Sequence, residues 1–215
     1  MGIFDSVKYR FRQKDILIQL IIINVALFLL LALINVIAIL FKIGNVSVVD
    51  NFVGVSSDIS IFIRRPWTLF TYMFIHDYRG IFHILFNMLI LFWFGQIFLS
   101  YFTSTNLASL YMLGGFAVSI FYILLFNTIP YFVDMPRVPL VGASASVMAI
   151  IFAVAFYNPD QRINLLLFGS VKIIYIAIIF FVIDFISLAN PDNPGGHGPH
   201  MRRSLIHIFL CPQTV

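Results

Sequence analysis

Apolar runs long enough to cross a lipid bilayer recur along this chain, and no other feature limits its possible folds so severely. From Ile16 to about Phe41 the sequence is almost wholly apolar, which exceeds the roughly 20 residues that a bilayer requires. Further runs extend from about Phe82 to Phe102, Leu107 to Phe126, Val141 to Tyr157 and Ile163 to Leu188. In hydrocarbon every backbone N–H and C=O must find a partner within the protein, so such runs fold as helices. Composition agrees, with 61% hydrophobic and 10% charged residues, 25 Phe and no Glu. Soluble domains average about 45–50% and about 25% for the same two classes. A mean hydropathy of +1.00 is more apolar surface than a water-soluble fold of this length could hide. The reading is an all-α, polytopic transmembrane helical bundle with five full spans and an incomplete sixth, built as one domain.

The net charge is +4, but the basic residues lie mostly at the ends of apolar runs. Lys8, Arg10, Arg12 and Lys14 precede the first run, which marks residues 1–15 as a cytosolic basic segment. Arg64, Arg65, Arg79 and Arg137 fall on the opposite side and weaken that vote; loop length and the N-terminal cluster decide it. No basic stripe interleaves with aromatics, so nucleic acid is excluded as a partner, and the lipid bilayer takes its place. Cys211 is the only cysteine, so neither a disulfide within the chain nor CxxC metal spacing exists. The first run is too long for a signal-peptide core and lacks a small-residue cleavage site, so it is read as a retained span. Asn24 and Asn35 within it are expected to face other helices. Residues 44–66 form a long first loop at the interface, closed by the headgroup anchors Arg64, Arg65 and Trp67. Lys172 interrupts the fifth run, and the span proper is expected to start there, with Lys172 snorkelling. Asp184 sits near that run's far end, where an interfacial role is expected.

Polar groups inside spans are costly, and each needs an account. Three groups stand out. His83 and Asn87 are four apart and share a helical face, either as an interhelical polar clamp or as paired donors. His76, one loop earlier, reads as a loop or interface residue. Gly142-Ala143-Ser144-Ala145-Ser146 opens the fourth run. It fits a close-packing face, extended by Ala149 and Ala153, and a serine at a helix start could also be a cap. Gly195-Gly196-His197-Gly198-Pro199-His200 opens the incomplete sixth run. The two histidines lack the further ligands a metal site needs, and no cofactor is implied.

In this order the three groups resemble the rhomboid family of intramembrane serine proteases, over roughly residues 16–200. The matching residues are His83/Asn87 as HxxxN in the second span, Gly114/Gly115 in the third, Gly142-Ala143-Ser144 in the fourth, and a histidine at the start of the sixth. The resemblance implies a rhomboid-like bundle that cleaves single-span membrane proteins near the outer membrane face. Ser144 would be the nucleophile, with His200, or alternatively His197, as its base, because a serine hydroxyl is a weak nucleophile until its proton is taken. His83, Asn87 and the Ser144 amide would stabilise the oxyanion. Aligned without gaps, GGHGPHMRR places His200 on the family's catalytic position. A bacterial inner membrane with a cytoplasmic N-terminus suits the layout.

The sequence departs from the family pattern in three places. The serine motif reads GASA rather than GASG. Met148 stands one turn after Ser144, where some members carry an aromatic. Arg202 and Arg203 replace the small residues expected after the histidine. The tail 201–215 is therefore expected to be foreign to the domain, through a truncated gene, a frame change or an assembly artefact. The missing sixth helix favours the alternative function, a rhomboid-like protein without catalysis that binds or escorts membrane clients, whereas the intact HxxxN and Ser144 disfavour it. A small transporter or channel ranks last, because the spans lack clear charge pairs and show no inverted repeat.

Overall fold

The computed structural model describes residues 15–42, 52–77, 80–133, 139–165 and 169–188. Within them, three helices are long and apolar enough to cross a membrane: α1 (Ile16–Leu40), α4 (Ile81–Leu99) and α5 (Ser104–Thr128). The short helices α2 (Ile59–Arg64) and α3 (Thr68–Thr71) precede α4, and a 3-10 turn, Tyr72–Phe74, follows α3. After α5 come α6 (Pro130–Val133), α7 (Ser144–Tyr157), a two-stranded hairpin and α8 (Ile173–Leu188). Both α7 and residues 173–183 of α8 are apolar but shorter than a span. The protein is a helical membrane protein.

Helix α1 begins where the Asp15 carboxylate accepts the Ile18 amide. Its 25 residues rise about 37 Å at 1.5 Å each, enough for a hydrocarbon core of about 30 Å. Hydrophobicity does not choose its inner face, since nearly every position is apolar. Leu17, Leu20, Asn24, Phe28, Asn35 and Ala38 are buried at helical spacing, while Leu29, Leu30, Leu33 and Leu40 are exposed. Both asparagines face protein, as the sequence predicts. Asn24 Nδ2 donates to the Leu20 carbonyl at 2.8 Å and to the Tyr111 hydroxyl at 3.1 Å.

The centre of the bundle is the contact between α5 and α7, and small residues set its closeness. A methyl group on Gly114 would collide with the Ala149 Cβ, and one on Gly115 would lie 2.7 Å from both Met73 Cε and Ser146 Oγ. The packing-face reading of the 142–153 stretch is thus correct for Ser146 and Ala149. The first loop also reaches this region, where Val55 and Leu140 exchange backbone hydrogen bonds of 3.0 and 2.9 Å.

The all-α reading needs one correction. Residues Arg162–Leu165 (β1) and Gly169–Lys172 (β2) pair antiparallel, with Arg162 opposite Lys172. The fifth long helix starts at Ile173, next to Lys172, where the sequence places the start of the span proper within the apolar run from Ile163. Arg162 and Lys172 are the physical reason: a helix through this stretch would carry both charges into the apolar run. Lys172 binds Asp160 at 2.6 Å, an exposed pair.

Candidate active site

The turn that delivers Ser144 is built from three consecutive residues. Gly142 adopts φ 118, a conformation that costs glycine little and other residues much. Its N–H donates to the Tyr72 carbonyl at 3.0 Å. Ala143 is completely buried, and its N–H donates to His76 Nε2 at 3.4 Å. Ser144 follows as the first residue of α7 and is exposed. Ala143 holds the cap position without a side-chain hydrogen bond. The capping reading of Ser144 is thereby overturned, because its hydroxyl stands inside the helix, one position past the cap.

Ser144 opens onto a cavity of about 400 Å³ whose walls include Tyr72, Gly114, Leu140, Ala145, Met148 and Phe181. Glycine and alanine on α5 and α7 make the room, and the rest of this wall is apolar apart from Tyr72. The Ser144 amide is one of the first N–H groups of α7, which have no partner within the helix and lie at the positive end of its dipole. A polar hydroxyl, an apolar recess and an amide donor are therefore adjacent.

His83 and Asn87 occupy the first half of α4. The Asn87 amide nitrogen donates to the His83 carbonyl at 3.0 Å and lies 3.2 Å from His83 Nε2. This contact lies within one helix. The link to Ser144 runs through His76, whose ring centroid is 5.8 Å from that of His83. His76 lies in a loop, one of the two readings its sequence position allowed, and is fully buried inside the bundle. His197 and His200 lie outside the described residues.

Sequence reasoning also missed Tyr72 and Met73. Both are fully buried in a segment that reads as merely apolar. The Tyr72 hydroxyl donates to the Gly115 carbonyl at 2.7 Å, and the Met73 carbonyl accepts the Tyr111 hydroxyl at 2.9 Å. The usable signal was the phenol itself, a group that must find a hydrogen-bond partner when buried.

A family model described as Rhomboid domain matches residues 64–198, a stretch that includes His76, His83, Asn87, Ser144 and His197 and ends just before His200. No curated protein and no solved structure matches the chain.

Proposed function

Since that match spans well over half of the chain, the protein belongs to the rhomboid family, and we propose that it is an intramembrane serine endopeptidase cleaving single-span membrane proteins. One observation carries the reading: an exposed serine at a helix start, beside an apolar cavity of about 400 Å³. Ser144 Oγ attacks the scissile carbonyl while a histidine, His200 or else His197, takes its proton. Charge on the carbonyl oxygen is met by the Ser144 amide, with His83 and Asn87 as further donors. Asn87 must turn from His83 to contribute. The histidine then protonates the leaving amine, and water repeats the sequence on the acyl-enzyme.

The wider layout belongs to the same proposal. Residues 16–200 form the membrane domain, with α1, α4, α5, α7 and α8 as five spans and a sixth beginning near His197. Residues 1–15 lie in the cytoplasm, the membrane is a bacterial inner membrane, and 201–215 is a separate tail. The 14 residues of α7 rise only about 21 Å, which suits a helix that begins below the membrane surface, where a water-fed recess could reach Ser144.

A fluorophosphonate probe tests the reading on the full chain in detergent. The expected result is an adduct on Ser144 located by mass spectrometry; an intact protein free of adduct under prolonged labelling refutes it. A second reading, a binder or escort of membrane clients, draws support from the Asn87 amide being engaged within its own helix. Client capture that persists in Ser144→Ala and His83→Ala favours that alternative.

A further inference from the structure

We propose that His76 is a positioning residue for the nucleophile turn, holding the Ala143 amide through its Nε2 and so fixing the direction in which Ser144 enters α7. The catalytic consequence rests on the serine-protease reading above, whereas the structural consequence rests on geometry alone.

The segment 72–76 is a rigid platform. Tyr72, Met73 and His76 are each 0% exposed. It is tied to α5 twice, by the Tyr72 hydroxyl on the Gly115 carbonyl and by the Tyr111 hydroxyl on the Met73 carbonyl. Tyr111 is in turn held by Asn24 of α1. From this platform two acceptors face two consecutive amides: the Tyr72 carbonyl takes Gly142 N–H, and His76 Nε2 takes Ala143 N–H. Two adjacent peptide groups are thereby oriented, and the next N–H along the chain is that of Ser144. An imidazole nitrogen accepts only when it carries no proton, so neutral His76 has its hydrogen on Nδ1. An apolar side chain here would leave a buried amide without its acceptor, which is costlier than the bond itself is stabilising.

Two substitutions separate acceptance from packing. Leucine in His76→Leu fills space and accepts nothing, whereas the amide oxygen of His76→Gln reaches close to the place of Nε2. Hydrogen exchange on the full chain is read for peptides covering 141–146 and, as reference, 81–99. His76→Leu is expected to speed exchange in 141–146 by about 10-fold or more with the reference unchanged. Fluorophosphonate labelling of Ser144 is expected to slow by about 10–100-fold in the same variant, as for a displaced reacting group. His76→Gln is expected to recover most of both. Equal exchange in wild type and His76→Leu, or a His76→Gln variant no better than His76→Leu, overturns the proposal. An arm without packing changes uses 15N-histidine spectra of the unaltered chain, with the His76 signal assigned by its loss in His76→Gln. Hydrogen on Nδ1 supports the proposal, and hydrogen on Nε2 refutes it. If no protein labels at all, the protease reading fails, while exchange and tautomer still decide on His76.

Discussion

The two ends of the helix Ser144–Tyr157 are secured by different physics. At the start, backbone amides meet buried acceptors, and glycine and alanine bring α5 and α7 together until a single methyl group would collide. At the far end, large rings and semi-exposed polar groups do the holding. Tyr157 packs against Tyr101 in a tilted and Phe102 in an edge-on arrangement, with centroids 5.2 and 4.7 Å apart. The Tyr101 hydroxyl donates to Gln161 Oε1 at 2.6 Å and accepts from Asn158 Nδ2 at 2.9 Å. Close-packed interiors are felt at the scale of one methylene, so the contacts of Gly114 and Gly115 leave the first end little room to shift. Rings and wet polar contacts tolerate more movement. A chemical group that must meet a reacting carbon belongs at the first kind of end, which is where Ser144, the proposed nucleophile, lies.

The sharpest way to break this comparison is at Ser144 itself. Ser144→Ala is expected to abolish cleavage of a single-span reporter substrate, a loss of at least about 1,000-fold, with the melting temperature unchanged because the side chain is exposed. A large stability loss would mean that the hydroxyl is structural. Next in size is Gly114→Val, which forces apart the contact with Ala149. Overpacking of this kind costs about 1–3 kcal/mol, and thermal denaturation in detergent should register it alongside slower labelling of Ser144. Unchanged labelling would show that the first end tolerates displacement after all.

The same contrast explains what the sequence disclosed. The three long helices α1, α4 and α5 were legible because lipid imposes one rule on every residue within a span, and Asn24 and Asn35 were placed inward because hydrocarbon offers amides no partner. The HxxxN and GAS motifs were legible as local patterns. His76 was not, because its role depends on a loop folding back beneath α7, which no period encodes. Tyr72 was hidden for the same reason: its hydroxyl partner, the Gly115 carbonyl, is 43 positions away in the chain. The hairpin at 162–172 was masked by an apolar run, although its charges at Arg162 and Lys172 already argued against a continuous helix.

At the far end the expected effects are smaller and confined to stability. Tyr101→Phe removes a hydroxyl that bridges Asn158 and Gln161. A loss of about 1 kcal/mol is expected, measured by thermal denaturation, with Ser144 labelling within about 2-fold of wild type because small movements at this end leave the distant turn in place. A larger fall in labelling would mean that α7 transmits displacement along its whole length.

The smallest effect is expected at Lys172, whose ammonium group holds the Asp160 carboxyl below its ordinary value of 3.8 by hydrogen bonding and charge, with a further contribution from Arg162. Because the folded-state value is depressed, the pair stabilises the protein at pH values above 3.8 and loses that contribution as pH falls through the lowered range where folded Asp160 takes up its proton. Asp160 is fully exposed to solvent, so screening limits the contribution. Lys172→Met is expected to lower the melting temperature at pH 7 by no more than about 2 °C. The difference should shrink in 1 M salt, where the screening length is about 3 Å, and close as the pH is taken down through that range. A salt-insensitive difference, or one that widens in acid, would mean that Lys172 acts by packing its aliphatic stem on the hairpin. The far end of α7 would then be dry, and its contrast with the Ser144 turn would rest on the aromatic rings alone.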